Sequence, residues 1–250
     1  MTTAYRLRPS RSGEGSVPLH RSAAIVLAIL FVGCTPPPAV ATPTPTVPTP
    51  QPTIAATPVP ATANPAVTVP TIPATVAVEI PVKGAALLVL DITTAVCTPR
   101  PPCVTSLPKI AALIKKARDA KVPVIYSETT AAGASILPEV APQAGEPSIK
   151  ASSDKFFNTN LDQLLKDRGV ENAVVVGSAS NGAVLYTTFG LNLRGYTAVV
   201  AVDGISANVD WPTNFVQWQL LNEPGFTNAD NKPLDKQHVT LSTTDKIAFK

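Results

Sequence analysis

Residues 173–189 read AVVVGSASNGAVLYTTF. The opening apolar run is short and continuous, as in a strand buried on both faces. GSASNG is a turn of small residues, and from Asn181 onward the apolar positions recur at helical spacing. A buried strand that turns directly into a helix is half of a parallel crossover unit, and the start of such a helix commonly holds a reactive group. Here that start offers Ser178, Ser180, Asn181, Gly182 and Ala183, without a cysteine, histidine or acid.

Working outward, the same alternation extends in both directions. Strands are predicted at AALLVLD (85–91), VPVIYS (122–127), PSIK (147–150), NAVVVG (172–177), TAVVAVD (197–203) and HVTLST (238–243). Helices are predicted at 106–121, with Ser106 as N-cap and Pro108 in the first turn, and at 160–169, 181–195 and 211–225. A long loop at 128–147 separates the second and third strands. The expected fold is α/β: a doubly wound, mostly parallel six-stranded sheet of order 3-2-1-4-5-6 with helices on both faces. In that order the first and fourth strands meet at the topological switch point, so Asp91 and Gly177 end on either side of the crevice where such sheets bind ligands.

The rest of the chain is of a different kind. Of its 250 residues, 27 are proline, and the segment from Thr35 to Pro73 is the densest in them. That segment carries no charge and no apolar periodicity, and reads as an extended, polyproline-like tether over 35–77. The net charge of +3 comes from the arginines before residue 34, which leaves the remainder neutral and gives no basic surface for nucleic acid. Those arginines lead into SAAIVLAILFV, an apolar core too short to span a bilayer, which ends FVGC at Cys34. The pattern resembles the lipobox of bacterial lipoproteins. It implies a signal segment over 1–34, lipid on Cys34, and a domain over 78–250 anchored to the outer face of a bacterial cell membrane.

Within that domain, LLVLD and the block from LPEVAPQAGEPSIK through FFNTNLDQLLKDRGVENAVVVGSASNGAVLYTTF resemble the isochorismatase-like superfamily, which includes the cysteine hydrolases. The resemblance covers about residues 82–205. It implies a catalytic triad of Asp, Lys and Cys, placed here on Asp91, Lys150 and the position of Ala183. Alanine has no atom with which to attack a carbonyl, so thiol catalysis is not expected. Thr93 stands where a glutamine is common, and the pair Asp154–Lys155 replaces a small Ser or Thr. Some members without the cysteine cleave a vinyl ether by protonation, with the Asp as general acid, and Asp91 and Lys150 offer the groups for that chemistry. Taken alone, Asp91 reads as a turn residue and Lys150 as a solvated surface lysine. Ser178 and Ser180 have no evident base beside them except Asp91.

No metal or cofactor is expected, because the metal-binding members carry Asp and His ligands after the second strand. This chain has VIYSETTAAG there, with histidines only at 20 and 238. Cys97 and Cys103, in CTPRPPC, are the two thiols left if Cys34 is lipidated, and in an oxidising compartment they are expected to pair. Two readings follow. One is a degenerate hydrolase that binds a small ligand or partner at the turn 178–182; the other is an active hydrolase that uses Asp91 and Lys150 without a covalent intermediate. The resemblance also implies a homo-oligomer assembled through the later helices.

Overall fold

The computed structural model describes residues 70–250; the expected signal segment, Cys34 and the tether up to residue 69 lie outside the described residues. Among the described residues eight strands and four α-helices follow one another: β1 (Val78–Ile80), β2 (Ala85–Leu90), α1 (Pro101–Asp119), β3 (Val124–Glu128), β4 (Ser148–Lys150), α2 (Leu161–Asp167), β5 (Asn172–Ser178), α3 (Leu185–Leu193), β6 (Thr197–Ser206), α4 (Asp210–Leu221), β7 (Val239–Ser242) and β8 (Ile247–Phe249). Six of the strands form one sheet of order β4-β3-β2-β5-β6-β7, all neighbours parallel. Counting only the six strands predicted from sequence, that order is 3-2-1-4-5-6.

Every side chain of β2 is buried, as its unbroken AALLVL run requires of a central strand covered on both faces. The two-residue period divides the core into two layers. Leu88 and Leu90 of β2, Val175 of β5 and Val200 of β6 face one side, where Leu161, Leu165, Leu191, Val216 and Leu220 of α2, α3 and α4 cover them. Leu87, Val89, Val174, Val176 and Val199 face the other, packed against Leu107, Ile110, Leu113 and Ile114 of α1.

The structure departs from the sequence-based expectations at the ends of elements. A second, two-stranded parallel sheet pairs β1 with β8, two three-residue segments from opposite ends of the domain that carry no periodicity of their own. Helix α1 begins at Pro101, so Ser106 is not its cap. Consecutive prolines preset the first turn, and Ser106 lies buried inside the helix, its hydroxyl donating to the Cys103 carbonyl at 2.7 Å. The third helix opens with a π-helical turn, Ser180–Val184, in which the Val184 N–H reaches the Ala179 carbonyl at 3.3 Å. Helix α4 stops at Leu221 rather than continuing through 225.

The last residues assigned to the tether lie on the domain. The Val76 N–H donates to the Leu241 carbonyl, Ser242 Oγ donates to the Val76 carbonyl, and Asn231 Nδ2 donates to the Ala74 carbonyl. The contacts of the domain therefore include residues several positions before Val78.

Candidate functional site

Strands β2 and β5 run side by side and end together, with Leu90 opposite Gly177. Only glycine fits at 177: a Cβ there would stand 2.3 Å from the Leu90 carbonyl oxygen. This close approach brings Asp91, immediately after β2, against the turn after β5. Asp91 has φ of +54° and is buried. Its N–H donates to the Ser127 carbonyl, and Ser127 Oγ donates to Asp91 Oδ1 at 2.7 Å, so the end of β3 orients the carboxylate.

The cation that meets Asp91 is Lys155. Its Nζ donates to Asp91 Oδ2 at 2.7 Å, to the Ala151 carbonyl at 3.2 Å and to the Ser152 carbonyl at 2.5 Å, and its side chain is fully buried. Lys150, the residue that the resemblance indicates, is exposed at the end of edge strand β4, and the expected pairing of Asp91 with Lys150 is not formed. Alternation along β4 is the reason. Ile149 enters the core, so Ser148 and Lys150 face the opposite way. The chain then turns through 151–154 and brings a second lysine to Asp91, its backbone N–H donating to Thr187 Oγ1 of α3 while the neighbouring Phe156 enters the core. Phe156 packs so tightly on α3 that a Cβ on Gly190 would lie 2.7 Å from its ring.

Asp91 opens onto a cleft of about 430 Å³ lined also by Ala95, Val96, Arg100, Thr129–Ala131, Ala151–Ser153, Ser178, Ala179, Gly182 and Ala183. Ala183 is buried and faces this space. Burial pushes the Asp91 carboxyl above its ordinary value, against the opposing pull of the Lys155 ammonium. The cleft thus holds an oriented acid with its cation and presents the Ala183 methyl group to the same space.

The small residues of the turn separate into two groups. Ser178 and Gly182 line the cleft, but Ser178 Oγ is engaged with the Ser206 carbonyl at 3.2 Å. Ser180 is buried away from it, hydrogen-bonded to Thr213 of α4 at 3.0 Å, and Asn181 is exposed. Neither serine is paired with a base. Cys97 and Cys103 form a disulfide beside the cleft. Among the described residues no cluster of His, Cys, Asp or Glu could hold a metal ion.

Sequence reasoning missed three contributors: Lys155, Ser127 and Arg100. Arg100 had a readable signal, as the one charged residue between two paired cysteines. The other two had none, because their roles depend on which strand ends adjoin.

Comparison with known proteins agrees with this fold. The Isochorismatase domain family profile matches residues 85–215. A secreted isochorismatase effector, Isc1, from Verticillium dahliae is 30% identical over 112 residues, 40% of this chain and 59% of that protein. The ureidoacrylate amidohydrolase RutB of Agrobacterium fabrum is 44% identical over 50 residues, 20% of this chain and 22% of that protein. The chain thus spans less than two thirds of either relative. A cysteine hydrolase structure from Pseudomonas syringae pv. phaseolicola superposes with a TM-score of 0.57 at 19% identity, over 69% of this chain and 94% of that one, which shows a shared fold. The family match spans just over half of the residues and includes both strands that frame the cleft, so this chain belongs to the isochorismatase family.

Proposed function

We propose that this domain binds a small molecule in the cleft between β2 and β5 and has lost the covalent chemistry of its hydrolase relatives. The observation that carries the reading is Ala183: a buried methyl group facing the cleft beside an intact Asp91–Lys155 pair. Hydrolysis through a thiol needs an attacking sulfur, and neither serine of the turn substitutes for it. The test restores the missing atom. In a Cys34→Ser background, Ala183→Cys places a thiol near a lysine and in the turn that opens a helix, both of which favour thiolate, while Asp91 opposes it. Position 183 is expected to alkylate faster at neutral pH than an exposed cysteine control, as mapped by peptide mass. Reactivity no greater than the control means that the cradle is absent and Ala183 is ordinary packing.

A second reading is favoured by one observation, the raised affinity of Asp91 for its proton at the floor of an open cleft. Burial that raises a carboxyl's affinity for its proton suits it to general-acid work, and cleavage of an enol ether needs a proton donor and no nucleophile. Slow enol-ether hydrolysis by the wild type that Asp91→Asn abolishes would establish this activity; turnover equal in the two would exclude it.

The chain is also proposed to be exported and tethered through lipid on Cys34. The FVGC pattern and proline-rich segment support this, and a Cys97–Cys103 disulfide suits an oxidising compartment.

A further inference from the structure

Arg100 stands midway between Cys97 and Cys103, three residues from each, so the disulfide closes the loop that carries it. Its backbone is pinned at both ends: its N–H donates to the Cys97 carbonyl, and its carbonyl accepts from the N–H groups of Cys103 and Val104. Its side chain is pinned as well. Nε donates to Asn208 Oδ1 at 2.5 Å and Nη1 donates to the Val96 carbonyl at 2.8 Å. These contacts are with neutral acceptors, and among the described residues no carboxylate lies within salt-bridge distance of the guanidinium. Nη2 has no partner among them.

Arg100 nevertheless lines the cleft, half-buried at its wall. The charges there are simply counted. Among the lining side chains Asp91 is matched by Lys155 and the rest are uncharged, so Arg100 is left as a surplus positive charge facing the cleft; Glu128, next to Thr129, acts on Asp91 but does not line the space. A guanidinium already held in place gives up little freedom when it binds, and its planar array of donors matches a carboxylate. A single surplus charge suits a monoanion, whereas a phosphate dianion would leave a charge uncompensated in the cleft.

We infer that the cleft takes a small molecule bearing a carboxylate, and that Arg100 on its disulfide-closed loop is the residue that reads it. This rests on the ligand-binding reading above and adds the ligand's charge and the group that recognises it. The cleft volume of about 430 Å³ is that of a small-metabolite site.

The test is a matched pair of probes, succinamate and succinamide, which differ in one carboxylate and are titrated calorimetrically into the full chain. The wild type is expected to bind succinamate about tenfold more tightly or better, the range of a charge-assisted hydrogen bond. Arg100→Gln keeps a donor for Asn208 and is expected to level the two probes, while Arg100→Lys retains a reduced preference. Ala183→Phe, which fills the cleft, is expected to abolish binding of both. Equal affinities in the wild type, a preference that survives Arg100→Gln, or no binding of either probe overturns the assignment. The alkylation rate at position 183 reports separately on whether the cleft reading itself stands.

Discussion

Lys150 and Lys155 lie five residues apart and end in opposite environments, one solvated and one buried against a carboxylate. A buried ion pair is a poor source of net stability, but breaking one leaves an uncompensated charge, which costs about 3–5 kcal/mol. Lys155→Met is therefore expected to lower unfolding stability by roughly that amount, whereas Lys150→Ala should change it by no more than about 0.5 kcal/mol. Adding Asp91→Asn to Lys155→Met should recover much of the loss, since it removes the stranded charge. Denaturant unfolding of the four proteins decides the matter. Equal costs for the two lysine variants would mean that the buried pair does not form.

At the scale of elements, a buried carboxyl without a partner lies beside the contact between α3 and α4. Glu223 follows α4 and is 4% exposed, and its Oε2 has no hydrogen-bond partner in the described structure. It borders an apolar cavity of about 280 Å³ walled by Leu185, Tyr186, Phe189 and Phe215. Burial alone pushes its carboxyl up to about 7, from an ordinary value of 4.5. The folded state therefore holds a proton that the unfolded chain releases between those two values. The contribution to stability is full below the unfolded value and is lost as pH rises through about 7. The difference across that window amounts to about 3 kcal/mol. Unfolding measured at pH 5 and pH 8 should show this decline in the wild type and a flatter profile in Glu223→Gln, which should be the more stable protein at pH 8. A wild-type profile as flat as that of the variant would place the carboxyl in contact with water or a cation.

For the whole molecule, the domain and the segment before it solve separate problems. The domain buries two apolar layers around one sheet, while the proline-rich stretch has no periodic apolar face to bury. If that stretch holds the domain away from a membrane, its attachment is Cys34. Radiolabelled fatty acid is expected to enter the wild type and not Cys34→Ser, and the domain should move from the membrane fraction to the soluble one with that change. Equal labelling of the two proteins would end the lipoprotein proposal.

Local pattern was enough for the six strands of the main sheet and their parallel order, and the pairing of Cys97 with Cys103 followed from the expected oxidising compartment. A continuous run such as AALLVL can lie only in the middle of a covered sheet, and right-handed crossovers leave few ways to arrange six such runs. Asp91 and the turn at 177–183 were legible for the same reason, since strand ends at a switch point must share a crevice. The lysine was not legible. Motif spacing indicated Lys150, but the pleat turned that side chain outward, and a loop whose course depends on Phe156 packing beneath α3 brought Lys155 in. Arg100 was set by a contact with Asn208, 108 residues away, and the β1–β8 pair joins segments from opposite ends of the domain. Sequence determined what each segment could become, because propensity and periodicity act over a few residues. Which charge reached the carboxylate was decided by tertiary structure alone, because burial and ion pairing depend on neighbours that only the folded chain brings together.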